Sequence, residues 1–241
     1  MTTGQCGDAP LLSDNAVDVH LAFWNDLIPC LPEYYQWLSG DEKEKAARFH
    51  RVSDHNQFII GRGLLRKLLG HYAGIPPQRL QFNYNPFGKP FLAKPLNANG
   101  IHFNLSHSHR VLVCAITKKG EIGIDVEYMR PIAGLNHVAR HFFSGYENRV
   151  FELLPLPEQL GAFYACWTRK EAFVKLKGQG LAIPLKSFTV SLLPGEPPEL
   201  LALPNGEDPA RYFMYEVNLL ENYKIVLCAE GPVETICPFV G

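Results

Sequence analysis

Trp167-Thr168-Arg169-Lys170-Glu171-Ala172-Phe173-Val174-Lys175-Leu176-Lys177-Gly178-Gln179-Gly180 closes a run free of Gly and Pro from Ala162 onward. The run reads as a helix halted by glycine, with Gly178 or Gly180 near its C-cap. Cys166, Phe173 and Leu176 share one side at helical spacing and form the predicted buried stripe. Glu171 and Lys175, four apart, share another face and set a carboxylate beside an ammonium. An isolated pair of this kind would be an ordinary exposed helix pair contributing about 0.2–0.5 kcal/mol. A second acidic element upstream, Gly123-Ile124-Asp125-Val126-Glu127, gives the pair a different meaning. Asp125 and Glu127 are predicted to leave the same face of a strand over 122–128, with β-carbons about 7 Å apart. Two such carboxylates repel unless a cation or donor lies between them, and a hard divalent ion with substrate phosphate suits oxygen ligands of this kind.

Outward from these elements the chain divides into two similar halves. Leu38-Ser39-Gly40 matches Phe143-Ser144-Gly145, and in each half a Phe (Phe58, Phe163) opens the expected long helix nineteen residues after the Ser. An Ile-Pro turn follows each helix (Ile75-Pro76, Ile183-Pro184), and each half closes on an apolar strand bearing a cysteine, Cys114 or Cys228. The expected fold is therefore α+β: two similar lobes from an internal duplication, related by a pseudo-two-fold, with the active site in the cleft between them. The lobes are expected at residues 1–119 and 120–241. Within this frame Val17–Trp24 alternates as a strand, 33–38 and 41–51 read as helices capped by Ser39 or Asp41, and Phe58–Tyr72 reads as the first long helix. Residues 101–105 and 111–117 read as strands joined by a Ser106-His107-Ser108-His109 loop. Residues 1–16 read as a loose arm and 194–209 as a proline-rich surface excursion.

Composition narrows the function without naming it. The 241 residues carry a formal net charge of −1, 46% hydrophobic and 20% charged residues, so bulk attraction to nucleic acid or to an anionic membrane is not expected. No apolar run has the length of a membrane span, and Met1–Pro10 has no signal-peptide pattern, so a cytoplasmic location is expected. The six cysteines show no metal-binding spacing, and those in apolar runs read as small buried hydrophobes. Two further motifs offer ligand contacts. Phe103-Asn104-Leu105-Ser106-His107-Ser108 ends in hydroxyls and an imidazole, and Phe87-Gly88-Lys89-Pro90 supplies a ring, a close-approach glycine and a point charge. Lys43, Lys45 and Arg62 add cations to the first half.

Taken together, the Gly-Ile-Asp-Val-Glu and Trp-x-x-Lys-Glu-Ala-x-x-Lys elements, with Gly88-Lys89-Pro90 and the Ser106-His107 motif, resemble the Sfp-type 4′-phosphopantetheinyl transferases. The resemblance implies transfer of the 4′-phosphopantetheine of coenzyme A to a serine of an apo acyl or peptidyl carrier protein, with release of 3′,5′-ADP. Such carriers serve fatty-acid, polyketide and nonribosomal peptide synthesis. By resemblance, Asp125, Glu127 and Glu171 surround Mg²⁺ on the coenzyme A pyrophosphate, which Lys175 also contacts. Ser106 and His107 bind coenzyme A, with His107 near the 3′-phosphate, while Phe87, Gly88 and Lys89 lie along the adenine and its phosphates. Lys45 falls at a basic 3′-phosphate position. Glu42 stands where some members have a second lysine, which points to Lys43 or Arg62 as the replacement. Candidates for the base that takes the serine proton are Glu171, Glu147 and a metal-bound water. The duplication implies a pseudo-dimeric monomer. A Mg²⁺-dependent phosphoanhydride hydrolase and a non-catalytic coenzyme A-binding module are the alternatives.

Overall fold

Two β-sheets pack face to face, and each carries one long helix on its outer surface, in a computed structural model that describes residues 12–241. The chain runs β1 (Ala16–Phe23), α1 (Trp24–Leu27), α2 (Leu31–Trp37), α3 (Gly40–Ala47) and α4 (Val52–Ala73). It continues through β2 (Phe82–Tyr84), β3 (Pro90–Leu92), β4 (His102–Ser108), β5 (Val111–Thr117) and β6 (Ile122–Tyr128). Next come α5 (Leu135–Phe142), α6 (Gly145–Leu153) and α7 (Leu156–Lys177), then β7 (Thr189–Val190), β8 (Leu200–Ala202), β9 (Tyr212–Glu216), β10 (Tyr223–Glu230) and β11 (Thr235–Val240). One sheet has the order β11-β1-β5-β4 and the other β6-β10-β9.

Period-two alternation builds the middle of the molecule. Val17, Val19 and Leu21 of β1 and Val111, Val113 and Ala115 of β5 meet Ile122, Ile124 and Val126 of β6 and Ile225 and Leu227 of β10 in one buried cluster. The opposite face of β5, Cys114 and Ile116, takes Leu65 and Leu69 of α4. The opposite face of β10, Val226 and Cys228, takes Cys166 and Phe173 of α7. The expected stripe of Cys166, Phe173 and Leu176 is accordingly buried, and α7 ends at Gly178 with φ +63°. The buried thiols of Cys114 and Cys228 are held protonated, the first pushed up to about 12 and the second also raised, both by burial.

Each half repeats one device. Ser39 and Glu42 form a capping box at the start of α3, and Ser144 and Glu147 form one at the start of α6. A buried cation from the long helix reaches each glutamate at 2.8 Å: Arg66 to Glu42 and Lys170 to Glu147. The same cations donate to carbonyls after the Ile-Pro turns, Arg66 to Pro77 and Leu80, and Lys170 to Leu185 and Phe188. Both long helices have 22 residues and a left-handed glycine C-cap, Gly74 or Gly178.

Several expectations shift. The long helices start at Val52 and Leu156 rather than at Phe58 and Phe163: the opening turns of the first are polar and carry no apolar period, and those of the second contain Pro157 and Gly161. The Ser106-His107-Ser108 segment is strand, not loop, and pairs with β5 through Ser108–Val111. The arm expected at 1–16 falls largely outside the described residues, but Leu12 is buried and Ala16 already belongs to β1. β11, unanticipated, returns from the second half and pairs parallel with β1, Ala16 to Thr235 through Leu21 to Val240.

Candidate active site

The site forms where β4 meets the free edge of β6. These strands run side by side in parallel register, but no backbone ladder joins them. Instead the alternate side chains of β4 accept the backbone N–H groups of β6: Asn104 Oδ1 from Ile124 (2.9 Å), Ser106 Oγ from Val126 (3.4 Å) and Ser108 Oγ from Tyr128 (3.1 Å). An unpaired buried N–H is costly, so these three residues do for β6 what a neighbouring strand would. Each serine then has one hydroxyl proton left, and gives it to the carboxylate just before its N–H donor. Ser106 donates to Asp125 Oδ1 (3.0 Å) and Ser108 to Glu127 Oε2 (2.8 Å).

Helix α7 brings the remaining groups. Gly123 lets its backbone lie against β6, since a β-carbon there would stand 2.1 Å from the Ala172 carbonyl oxygen. At that approach Lys175 Nζ donates to both Asp125 Oδ1 and Ser106 Oγ, each at 2.6 Å. Asp125 is buried, and its second oxygen, Oδ2, has no hydrogen-bond partner among the described residues. Burial raises the pKa of Glu127, and the Asp125 charge adds to the rise, while hydrogen bonds from Ser108 and Trp167 and the Lys175 charge oppose it. Glu171 is raised by burial and by the Asp125 and Glu127 charges, against Lys175. Asp125, Glu127 and Glu171 thus sense one another, yet no group of three His, Cys, Asp or Glu closes to metal-ligand geometry among the described residues. Lys175 takes part of the neutralising role.

Three cavities border this seam. One of about 490 Å³ is lined by Trp24, Phe58, Arg62, Asn104 and His107. A second, about 380 Å³, shares Pro90 and Asn104 with it and is lined by Phe87, Gly88, Glu171, Lys175 and Gly178. A third, about 460 Å³, lies at the Glu127 end between Ser108, Tyr128, Phe163, Tyr164 and Trp167. An aromatic cleft with Arg62, an acidic seam and a largely apolar slot therefore follow one another along β4 and β6.

A profile described as the 4′-phosphopantetheinyl transferase superfamily matches residues 121–228, and one described as 4′-phosphopantetheinyl transferase, N-terminal, matches residues 24–119. The 4′-phosphopantetheinyl transferase HetI of Nostoc sp. is 39% identical over 69% of this chain and 70% of its own length. A 4′-phosphopantetheinyl transferase of Bacillus subtilis is 36% identical over 81% of this chain and 83% of its own. The 4′-phosphopantetheinyl transferase Sfp of B. subtilis strain 168 is 32% identical over 83% and 85%. The chain belongs to the Sfp-type 4′-phosphopantetheinyl transferase family. Within that family frame, the residues singled out in the sequence sort by position. Asp125, Glu127, Glu171, Lys175 and Ser106 come together at the seam.

His107 leaves β4 on the face opposite Ser106 and packs edge-on to Trp24 at 5.7 Å. Burial is the main cause lowering its pKa, with the Lys175 charge adding, so the imidazole is held neutral toward lower pH. Arg62 lies 5.8 Å from the Phe58 ring and 5.7 Å from the Tyr84 ring, and Lys45 sits 5.6 Å from Phe58, at the edge of the same cavity. Lys89 is different. Its ammonium donates to Glu121 (2.6 Å) and to the carbonyls of Leu176 (3.0 Å) and Ile122 (3.2 Å), binding the β2–β3 hairpin to the end of α7. Glu147 does not reach the site. It is fully buried, ion-paired to Lys170, and accepts from the backbones of Ser144 and Val190, so it is no candidate base. Glu42 serves the first half in the same way, holding Arg66 at 2.8 Å, with Arg62 3.9 Å away. Sequence reasoning assigned no role to Trp24 and offered Asn104, Ser108 and Trp167 only as members of motifs. The signal for Asn104 and Ser108 was their two-residue spacing with Ser106, which repeats that of Asp125 and Glu127.

Proposed function

We propose that the chain transfers the 4′-phosphopantetheine group of coenzyme A to a serine of an apo carrier protein at the β4–β6 seam, with Mg²⁺ held by Asp125, Glu127 and Glu171. One observation carries this reading: Asp125 is buried beside Lys175, and its Oδ2 has no hydrogen-bond partner among the described residues. A buried carboxylate oxygen without a donor is a natural ligand for a hard cation, and two further carboxylates with raised pKa values stand next to it. When bound, the ion neutralises pyrophosphate charge and the charge that develops in phosphoryl transfer. The chain's own residues do the rest.

The nucleotide end fits the cavity of Arg62, His107 and Trp24, where one cation and an aromatic wall meet, with Lys45 at its edge. A larger cleft of about 700 Å³ opens beyond Lys89; of its cations, Lys177 and Arg211 are paired with Glu207 and Glu230, and Lys94 stands at its wall. The pyrophosphate then lies against Lys175, and the apolar slot of Phe163, Tyr164 and Trp167 suits the pantetheine arm. Glu171, half-buried and one helical turn before Lys175, accepts the proton of the incoming serine. The new bond joins the serine oxygen to the β-phosphorus, and the bond from that phosphorus to the bridging oxygen breaks as 3′,5′-ADP departs with that oxygen. The carrier protein is the partner, and the repeated capping-box device supports an internal duplication with lobes at 1–119 and 120–241, acting as a monomer. No described helix is long and apolar enough to cross a membrane, which agrees with a cytoplasmic site of action.

Mass spectrometry of an apo carrier protein incubated with coenzyme A and Mg²⁺ tests the reading. The carrier should gain one phosphopantetheine group with stoichiometric 3′,5′-ADP. Cleavage of coenzyme A with an unmodified carrier would indicate a hydrolase, and binding without turnover a non-catalytic module.

A further inference from the structure

Glu127 differs from its two acidic neighbours in how it is held. Asp125 is fixed by Lys175 and Ser106, and Glu171 lies on a helix turn that Gly123 sets against β6. Glu127 projects from the end of β6 and has no cation bonded to it among the described residues. Ser108 Oγ donates to it at 2.8 Å, with the Trp167 side chain a further, weaker donor. That hydroxyl has no freedom in the matter. The Tyr128 N–H can only donate, so it consumes a lone pair of Ser108 and leaves the single hydroxyl proton for the carboxylate. The backbone of β6 thereby dictates, through a side chain of β4, that Glu127 Oε2 is occupied. Ser106 repeats the arrangement for Asp125 but is doubled by Lys175.

Resting on the function proposed above, we infer that Ser108 is a positioning residue for Glu127: it pins one carboxylate oxygen so that the other is presented to the divalent ion. The first half of the chain then contributes to the metal site without touching the metal, and assembly of the seam and assembly of the ion site are one event. Asn104 provides the contrast, since it accepts the Ile124 N–H as Ser108 accepts that of Tyr128 but orients no carboxylate.

The test uses the full-length protein and reads two quantities, coenzyme A affinity by calorimetry across a Mg²⁺ series and steady-state transfer across the same series. Loss of a group that orients a metal ligand typically costs ten- to a hundredfold in metal affinity. Ser108→Ala should therefore raise the Mg²⁺ concentration for half-maximal coenzyme A binding by about that factor. At saturating Mg²⁺ its kcat should recover most of the wild-type value. Ser108→Thr, which keeps the hydroxyl, should restore the wild-type Mg²⁺ response to within a few-fold. Thr117→Val, which removes a buried hydrogen bond to the Ala16 carbonyl outside the site, should lower the melting temperature yet leave the Mg²⁺ midpoint within about twofold. An unchanged midpoint in Ser108→Ala, or equal shifts in Ser108→Ala and Thr117→Val, overturns the inference. Either result leaves the transferase reading intact as long as the wild type modifies its carrier, so the two can fail separately.

Discussion

Replacing Gly123 by alanine places a methyl carbon 2.1 Å from the Ala172 carbonyl oxygen and 2.3 Å from the Leu176 amide nitrogen. Both obstacles are helix backbone, so no side chain can rotate away. Ordinary contact begins near 3.4 Å, and the helix must therefore retreat from β6 by more than an ångström at this point. Overpacking of this kind costs about 1–3 kcal/mol of stability. The larger effect falls on chemistry. Glu171 and Lys175 flank the point of contact, and Lys175 Nζ now stands 2.6 Å from Asp125 Oδ1. A retreat of about 1 Å separates the groups that must converge on one phosphate, a misplacement able to cost about a hundredfold in rate. Carrier modification measured at 25 °C, alongside a thermal melt of the same preparation, separates the two consequences. Gly123→Ala is expected to melt a few degrees lower and to remain fully folded at the assay temperature. Its kcat/KM should nonetheless fall about a hundredfold. A folded Gly123→Ala protein with near-wild-type kcat/KM would refute the claim that this glycine sets the catalytic geometry.

Other perturbations test separate parts of the site. Asp125→Ala should abolish transfer and remove the Mg²⁺ dependence of coenzyme A binding in calorimetry, whereas persistence of that dependence would move the ion elsewhere. Glu171→Gln should depress kcat far more than it weakens Mg²⁺ or coenzyme A binding, and parallel losses would make Glu171 a ligand only. His107→Ala should narrow the preference for coenzyme A over its 3′-dephospho form by roughly ten- to a hundredfold, the cost of one charge-assisted contact. An undiminished preference would place the 3′-phosphate against Arg62 or Lys45. Outside the site, burial and the nearby His71 charge lower the pKa of His20 from 6.5 to about 4, while its Nε2 lies 2.8 Å from Tyr72 Oη. A base depressed in the folded state leaves the unfolded chain binding more protons, so stability is lost as pH falls from 6.5 toward 4. Asp18, whose pKa burial raises, works in the opposite sense. Melting curves of His20→Gln should accordingly decline less over that interval than those of the wild type, and equal declines would exclude His20 as the source.

What the sequence disclosed, it disclosed through local rules. The glycine stop of α7 and the shared face of Glu171 and Lys175 need only helical periodicity. Asp125 and Glu127 on one strand face need only the period of two. Ser39 as a cap is a local reading as well. What stayed hidden depends on distant partners. Ser106 and Ser108 read as a polar loop because nothing nearby explains hydroxyls in a strand, and the explanation is the edge of β6, some twenty residues on. Lys89 read as a phosphate contact, and no local rule foretold that its ammonium also bonds the carbonyl of Leu176 at the end of α7. Glu147 looked available until Lys170, on another helix, was seen to close it off. β11 carries Pro238 within a stretch of otherwise ordinary residues, a pattern that argues for a loop unless the strand lies at a sheet edge, as this one does.

The return of β11 also sets the order in which the molecule can be built. β1 leaves the ribosome more than two hundred residues before the strand that covers its outer edge, Thr235–Val240. Throughout synthesis the nascent first half carries a bare strand edge, the kind of surface that pairs with other chains. That half cannot finish its sheet and wait as an independent unit. A fragment ending near residue 119 would keep this open edge permanently, and self-association rather than a soluble half-molecule is the form it should take.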